Sequence, residues 1–367
     1  MKKQWSTLGL LVLCLGFNAL FAQNFWRAKS PNVVSKKRVT AELTPQAFKV
    51  YELQVAAFKR ALRDAPLRGS LIPGTEVLID FPLADGSFET YKVIEAPVLD
   101  ATLSAQYPDI KSYAGQGLSD PSDIIRFSVT PLGVKSMLLS TKRGYEFIEP
   151  YSEDLRHYMV YQRKDRHRPD DHFECGVKNE MNRQSDSGRA RFNNADDGIL
   201  RTYRLAVSTT GEYTAYHGGT VAGALAAINT AMTRVNGIYE VDFNITMVLI
   251  SSTTSVIYTN ASTDPYSAGG CNGQLQSTLT SVIGEPNYDI GHLFARASNN
   301  GNAGCIGCVC TNGSKGSAFT SGTIPEGDLF DVDYVCHDMG HQFGANHTWT
   351  FGGNEGTNVQ MEPGSGT

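Results

Sequence analysis

His337-Asp338-Met339-Gly340-His341-Gln342-Phe343-Gly344-Ala345-Asn346-His347 is the stretch whose reading decides the fold. His337 and His341 are four residues apart, which on a helix puts both imidazoles on one face, one turn apart. Gly344 follows three residues later. Glycine tolerates the positive φ that ends a helix and turns the chain, so His347 can return as a third nitrogen donor. Three protein nitrogens with one open position are the donor set of a catalytic zinc. Such a zinc brings the pKa of a bound water to about 7. A His-x-x-x-His pair alone most often binds nothing. Here an acid, a glycine and a third histidine stand in register with it.

The stretch resembles the long zinc signature of the metzincin metallopeptidases, H-E-x-x-H-x-x-G-x-x-H. Asp338 stands where that family carries glutamate. The resemblance implies His337, His341 and His347 as zinc ligands and Asp338 as the catalytic general base. Aspartate is one CH₂ shorter, and a misplacement of about 1 Å costs roughly a hundredfold in rate. Within the metzincins the chain is similar to the reprolysin-like, bacterial secreted branch with a propeptide. That likeness implies an α/β (α+β) zincin fold, a mixed sheet with an active-site helix, preceded by a mainly β propeptide domain. It implies a secreted zinc endopeptidase made as a zymogen and acting on protein or peptide substrates. The alternative is a zinc-binding pseudoprotease, with Asp338 in place of the glutamate base. A third reading, a purely structural exported domain, predicts no bound metal. Metzincins also carry a methionine turn beneath the zinc. Met361, in Val359-Gln360-Met361-Glu362-Pro363, does not resemble it, and the chain stops at Thr367. The expectation is a C-terminally truncated fragment whose catalytic domain lacks that turn.

The chain has 367 residues, 41% hydrophobic, enough for two cores. Its net charge of −5 argues against nucleic acid as a partner. Residues 1–22 read as a signal peptide: Lys2 and Lys3, the apolar run Leu8–Leu15, and small residues from Ala19 to Ala22. That run is too short for a stable membrane span, so the protein is expected outside the cytoplasm. Cys14 leaves with the signal. In an oxidising compartment the cluster Cys271, Cys305, Cys308, Cys310 and Cys336 reads as disulfides ahead of a second metal site. Oligomeric state is not legible.

The domains expected are a propeptide domain at 23–180, a linker with the activation site at 181–198, and the catalytic domain at 199–367. In the first, Thr44 and Pro45 open a helix whose apolar stripe is Phe48, Tyr51, Val55, Phe58 and Leu62. From residue 75 the pattern is antiparallel β, with a hairpin around Thr130-Pro131-Leu132-Gly133. The segment from Tyr107 to Tyr113 resembles propeptides of bacterial reprolysin-like proteases. The linker is polar, and Arg183, Arg189 and Arg191 suit a trypsin-like protease.

Cys175 lies just before that linker, in Phe173-Glu174-Cys175-Gly176-Val177. A thiolate is a good zinc ligand. In several metzincins a propeptide cysteine fills the open zinc position, and the resemblance implies that latency role for Cys175. A disulfide or a buried thiol are the other readings.

The catalytic domain opens with a strand from Arg201 to Thr209. A helix capped by Thr220 follows, carrying Val221, Leu225, Ile228, Met232 and Val235, with Gly237 ending or bending it. Strands are expected over Asn244–Ser251, Thr254–Tyr258 and Tyr288–Ala295, with a short helix over Leu275–Ile283. His292 reads as a structural histidine. In the family an edge strand near Asn299–Cys310 binds the substrate backbone by β-addition. Glu326, Asp328, Asp331 and Asp333 read as acids favouring a helix N-terminus, ahead of a calcium (Ca2+) site of the kind family relatives carry.

Overall fold

The structure, a computed structural model, describes residues 23–34, 36, 37, 40, 42–70, 76–166, 173–177 and 198–347. The expected signal peptide, all of the expected linker but residue 198, and Met361 lie outside the described residues.

The N-terminal region is built on one nine-stranded antiparallel sheet. Its strands are β1 (Trp26–Lys29), β2 (Lys49–Leu53), β3 (Val77–Pro82), β4 (Phe88–Glu95), β5 (Lys111–Gly117), β6 (Ile124–Thr130), β7 (Gly133–Ser140), β8 (Gly144–Pro150) and β9 (His157–Gln162). They run in the order β1-β2-β9-β8-β7-β6-β5-β4-β3. The expected hairpin joins β6 to β7, with Thr130 opposite Gly133 and Gly133 at φ 102°.

The helix expected from Thr44 is corrected. Residues Lys49–Leu53 form β2, and only Val55–Leu62 is helical (α1). The 3–4 spacing of Phe48, Tyr51 and Val55 runs across two elements. β2 is hydrogen-bonded to β1 and to β9. It buries Tyr51 and Leu53 in the cluster around α1 and Val50 in a different one. Pairing on both edges and burial on both faces override a local helical pattern. On α1, Phe58 is fully buried among Phe25, Trp26, Phe81 and Phe127, with ring centroids 5.8–6.2 Å apart where they meet Phe58 or Trp26.

Two short helices follow in the chain, α2 (Ala101–Gln106) and, after the first long strand of the second region, α3 (Gly211–Tyr216). The second region is a six-stranded sheet with helices on both faces. Its strands β10 (Glu174–Cys175), β11 (Arg201–Thr209), β12 (Ile245–Leu249), β13 (Ile290–Ala295), β14 (Asn300–Asn302) and β15 (Ala318–Ser321) run in the order β10-β14-β15-β13-β11-β12. All neighbours are parallel except β14 with β15. Side chains alternate across β11. Leu205 and Val207 meet α4 (Val221–Phe243), while Ala206 meets α5 (Cys271–Thr278).

Thr220 caps α4 by accepting from the Gly223 amide, as its position predicts. Gly237 does not end the helix. A Cβ there would come within 2.6 Å of the Arg126 side chain, so glycine lets the N-terminal sheet approach. The strand expected over Thr254–Tyr258 is instead a 3-10 turn, Ser251–Val256, followed by one bridge from Ile257 to Thr209. In this Ser/Thr run, hydroxyls compete for backbone partners: Thr254 Oγ1 donates to the Ser251 carbonyl at 3.2 Å.

The two faces of α4 differ. Leu225, Ile228, Met232, Val235 and Tyr239 are buried in the core of the second region. The face toward the nine-stranded sheet is polar. Ser112 Oγ is 2.9 Å from both Asn229 Oδ1 and Thr233 Oγ1, and Ser128 Oγ is 2.9 Å from Thr230 Oγ1. Arg68 and Arg126 pair with Glu240. Buried Arg234 holds Asp331 of its own region at 2.8 Å and also Glu149 of the other.

Candidate metal centre

The histidine helix is longer than its motif. A π-helical segment, Leu329–Val335, runs directly into α6 (Cys336–Phe343). Asp328 stands at the start of this run and Asp331 in its first turn, as expected of helix-start acids, although Asp328 makes no capping bond and Asp333 lies further in. These acids also answer cations. Arg166 pairs with Asp328 at 2.9 Å and Asp333 at 2.6 Å, Arg163 with Asp333 at 2.5 Å, and Lys135 with Glu326 at 2.9 Å. Carboxylates committed to guanidinium and ammonium groups are not a calcium cage.

Gly344 ends α6 at φ 111°, and the Ala345 amide donates to the Gly340 carbonyl at 2.9 Å. This is the turn the spacing predicts. It places His347 Nε2 3.2 Å from His341 Nε2, while His337 Nε2 is 3.0 Å from the same atom. Cys175 Sγ, contributed by β10, lies 3.6 Å from His341 Nε2. The four donor atoms all fall within 4.8 Å of one another, the one such His/Cys/Asp/Glu group among the described residues.

The donors fit a zinc ion. Tetrahedral zinc with its usual bond lengths sets nitrogens about 3.3 Å apart and sulfur about 3.5 Å from nitrogen, close to the separations here. His341 Nδ1 donates to the Ala345 carbonyl at 2.7 Å, which leaves Nε2 as a lone pair aimed at the other two imidazoles. Burial lowers the His337 pKa to about 3 and that of His341 to about 4, with the neighbouring histidines adding to the shift. Neutral imidazoles are the form that binds metal.

Cys175 is brought in by strand pairing. β10 lies parallel to the edge strand β14, Cys175 opposite Gly301. The Glu174 amide donates to the Asn299 carbonyl at 3.0 Å and the Gly176 amide to the Gly301 carbonyl at 2.8 Å. Alternate residues grip the second region. Phe173 stacks on Tyr334 with centroids 4.3 Å apart and meets His337 edge-on. Val177 is buried with Ala303 and Ala318. The period-two pattern Phe173-x-Cys175-x-Val177 is the sequence signal for this strand.

Asp338 faces the sheet. It is fully buried, and Thr320 Oγ1 on β15 donates to its Oδ2 at 2.5 Å. Oδ1 has no hydrogen-bond partner among the described residues. A Cβ on Gly301 would overlap this carboxyl group. Burial raises the pKa of Asp338 well above the carboxylate range, against the bond from Thr320. Behind Thr320 lies His292, whose Nε2 is 2.8 Å from Thr320 Oγ1 and whose Nδ1 is 2.9 Å from Gln342 Oε1. Gln342 Nε2 donates to the Gly291 carbonyl at 3.0 Å. One proton beyond those of a neutral imidazole and an ionised carboxylate satisfies every link in this chain.

Among the cysteines, Cys305 and Cys308 form a disulfide, so this C-x-x-C is not a metal site. Cys271, Cys310 and Cys336 are in no disulfide. The disulfide loop buttresses α6: the Gly307 amide donates to the His341 carbonyl at 2.9 Å and the Val309 amide to the Gln342 carbonyl at 3.3 Å.

Comparison with known families matches residues 199–367 to the metallo-peptidase family M12B, reprolysin-like. Comparison with curated proteins gives no match. The matched stretch begins at β11 and contains all three histidines and Asp338. It leaves out Cys175 and the whole nine-stranded sheet. Residues 199–367, the part of the chain that carries the histidine helix and its sheet, thus match the reprolysin-like metallo-peptidase family M12B.

Proposed function

We propose that this chain is a zinc endopeptidase, exported and made in a latent form, that hydrolyses peptide bonds in proteins. The observation that carries the reading is the convergence of His337, His341, His347 and Cys175 within 4.8 Å. A zinc ion held there supplies Lewis acidity. Bound there, it would act on a carbonyl as a Lewis acid, would acidify water near neutral pH, and would favour the ionised form of Asp338.

The chain's own residues do the rest. The three imidazoles would hold the ion, and burial keeps those of His337 and His341 neutral. Asp338 takes a proton at Oδ1, the oxygen left without a partner, and returns it to the leaving amine. β14 offers its edge to an extended substrate backbone, which binds by strand addition. In the latent chain β10 occupies that edge and Cys175 the fourth donor position. Residues 23–180 act as the propeptide, and cleavage in the linker, residues 181–198, frees the site. The basic start and apolar run of residues 1–22 support export. No helix among the described residues is long and apolar enough to cross a membrane.

A second reading has one observation in its favour. Asp338 is enclosed and gripped by Thr320, which suits a zinc-binding protein that cleaves nothing. One assay separates the two. The full-length chain is processed between the two regions and given a mixed protein substrate, with and without a zinc chelator. Cleavage abolished by the chelator is expected. No cleavage with one zinc still bound per chain overturns the peptidase.

A further inference from the structure

Asp338 has one polar anchor among the described residues, the hydroxyl of Thr320. That hydroxyl is itself held. Thr320 and His292 lie on neighbouring parallel strands, β15 and β13. His292 reaches across to Gln342, four residues after Asp338 on α6 and so on the same helix face. The links close a ring: from the helix at Asp338 to β15, to β13, and back to the helix at Gln342. All four side chains are inaccessible to solvent. Gly301 closes the remaining side, since its missing Cβ is the space the carboxyl group fills.

We infer that Thr320 and His292 are positioning residues for Asp338, fixing Oδ2 from the sheet side so that Oδ1 alone is presented for proton transfer. The inference rests on the peptidase reading. A shorter acid makes such an anchor matter. Aspartate has one torsion fewer than glutamate, so a fixed Oδ2 and a fixed backbone leave Oδ1 one place to be. A buried histidine between strands is usually structural, and on that account His292 would only support packing. Two facts set it apart: the chain ends on the acid next to His337, and each intermediate atom has a committed partner at 2.5–3.0 Å.

The test pairs two substitutions in the full chain activated by limited proteolysis. Thr320→Val keeps the shape and removes the hydroxyl; Thr320→Ser keeps the hydroxyl and removes a methyl. Thr320→Val is expected to retain one zinc per chain and its KM, with kcat lowered about 10–100-fold, the cost of an acid displaced by about 1 Å. Thr320→Ser is expected to stay within about threefold of the parent. Full kcat in Thr320→Val, or an equal loss in both variants, overturns the inference.

A second measurement does not need turnover. In protein labelled with ¹⁵N-histidine, the His292 ring N–H signal is expected to shift in Thr320→Val and in Asp338→Asn alike. A His292 signal unmoved by Asp338→Asn overturns the coupling. If the parent chain cleaves nothing, the peptidase reading falls and this signal decides the positioning chain by itself.

Discussion

The five strands β11 to β15 form a sheet with two edges, β12 and β14, and segments that precede it in the chain cover both by different means. At the β12 edge the backbone of residues 98–100 joins the strand, with Leu249 donating to the Val98 carbonyl at 2.7 Å and Asp100 to the Leu249 carbonyl at 2.9 Å. Behind that join Val98, Leu99, Leu103 and Ile110 are buried in the core of the second region. Four such side chains are worth about 6–12 kcal/mol as an upper estimate. At the β14 edge the cover is the two-residue β10. Its two backbone bonds bring about 1–3 kcal/mol, the Phe173 stack about 1 kcal/mol and buried Val177 about 2 kcal/mol. One edge is closed by a shared apolar core. The other is closed by a short segment whose remaining hold is a sulfur atom beside three imidazoles. Under the proposed function this separates stability from latency: the β12 edge keeps the two regions together, and the β14 edge keeps the site shut. The polar face of α4 fits the same division, because hydroxyl, amide and ion-paired groups can return to water at small cost where an apolar face cannot.

The largest effect is expected at the centre guarded by the β14 edge. His341→Ala removes the nitrogen nearest both other imidazoles and the cysteine. It should abolish stoichiometric zinc, read by metal analysis of the purified chain, together with all chelator-sensitive cleavage. At the β12 edge, Leu103→Ala should cost about 2–5 kcal/mol in denaturant unfolding of the unprocessed chain, since Leu103 is fully buried. A loss well under 1 kcal/mol there would break the distinction between the edges.

His292 gives the pH dependence. Burial lowers its pKa to about 4 in the folded chain from an ordinary 6.5. The unfolded chain therefore binds a proton first as pH falls. In the metal-free chain, where burial keeps the shared proton on Asp338, the stability linked to neutral His292 is complete above pH 6.5 and is lost as pH falls toward 4, by about 3 kcal/mol in all. His292→Gln should flatten the stability curve by about that amount across this window. The smallest change in stability belongs to Cys175→Ser, within about 1 kcal/mol for the metal-free chain. Yet cleavage by the unprocessed chain should rise at least about tenfold. Latency unchanged in Cys175→Ser would show that β10 pairing alone shuts the edge, and would sharpen the comparison toward backbone addition.

Legibility in the sequence followed the range of the forces involved. The histidine helix, its end at Gly344, the cap at Thr220 and the β6–β7 hairpin each depend on residues a few positions apart, and their spacing predicted them. The stripe over Phe48–Leu62 misled because two elements shared one period, and the choice between them was made by β1 and β9. The acids before α6 are helix-start charges by local position, but their pairing with Arg163 and Arg166, far away in sequence, is not written in that spacing.

What the sequence determined alone was that the nitrogens of His337, His341 and His347 meet at one helix end, because a helical i, i+4 pair and a glycine turn are set by local backbone geometry. Only the tertiary structure decided that Cys175 meets those nitrogens, that Thr320 and His292 stand behind Asp338, and that segments preceding the sheet of β11 to β15 seal both of its edges. Each of these joins residues from separate strands or regions, and what brings them together is burial and strand pairing over the whole chain, which no local spacing encodes.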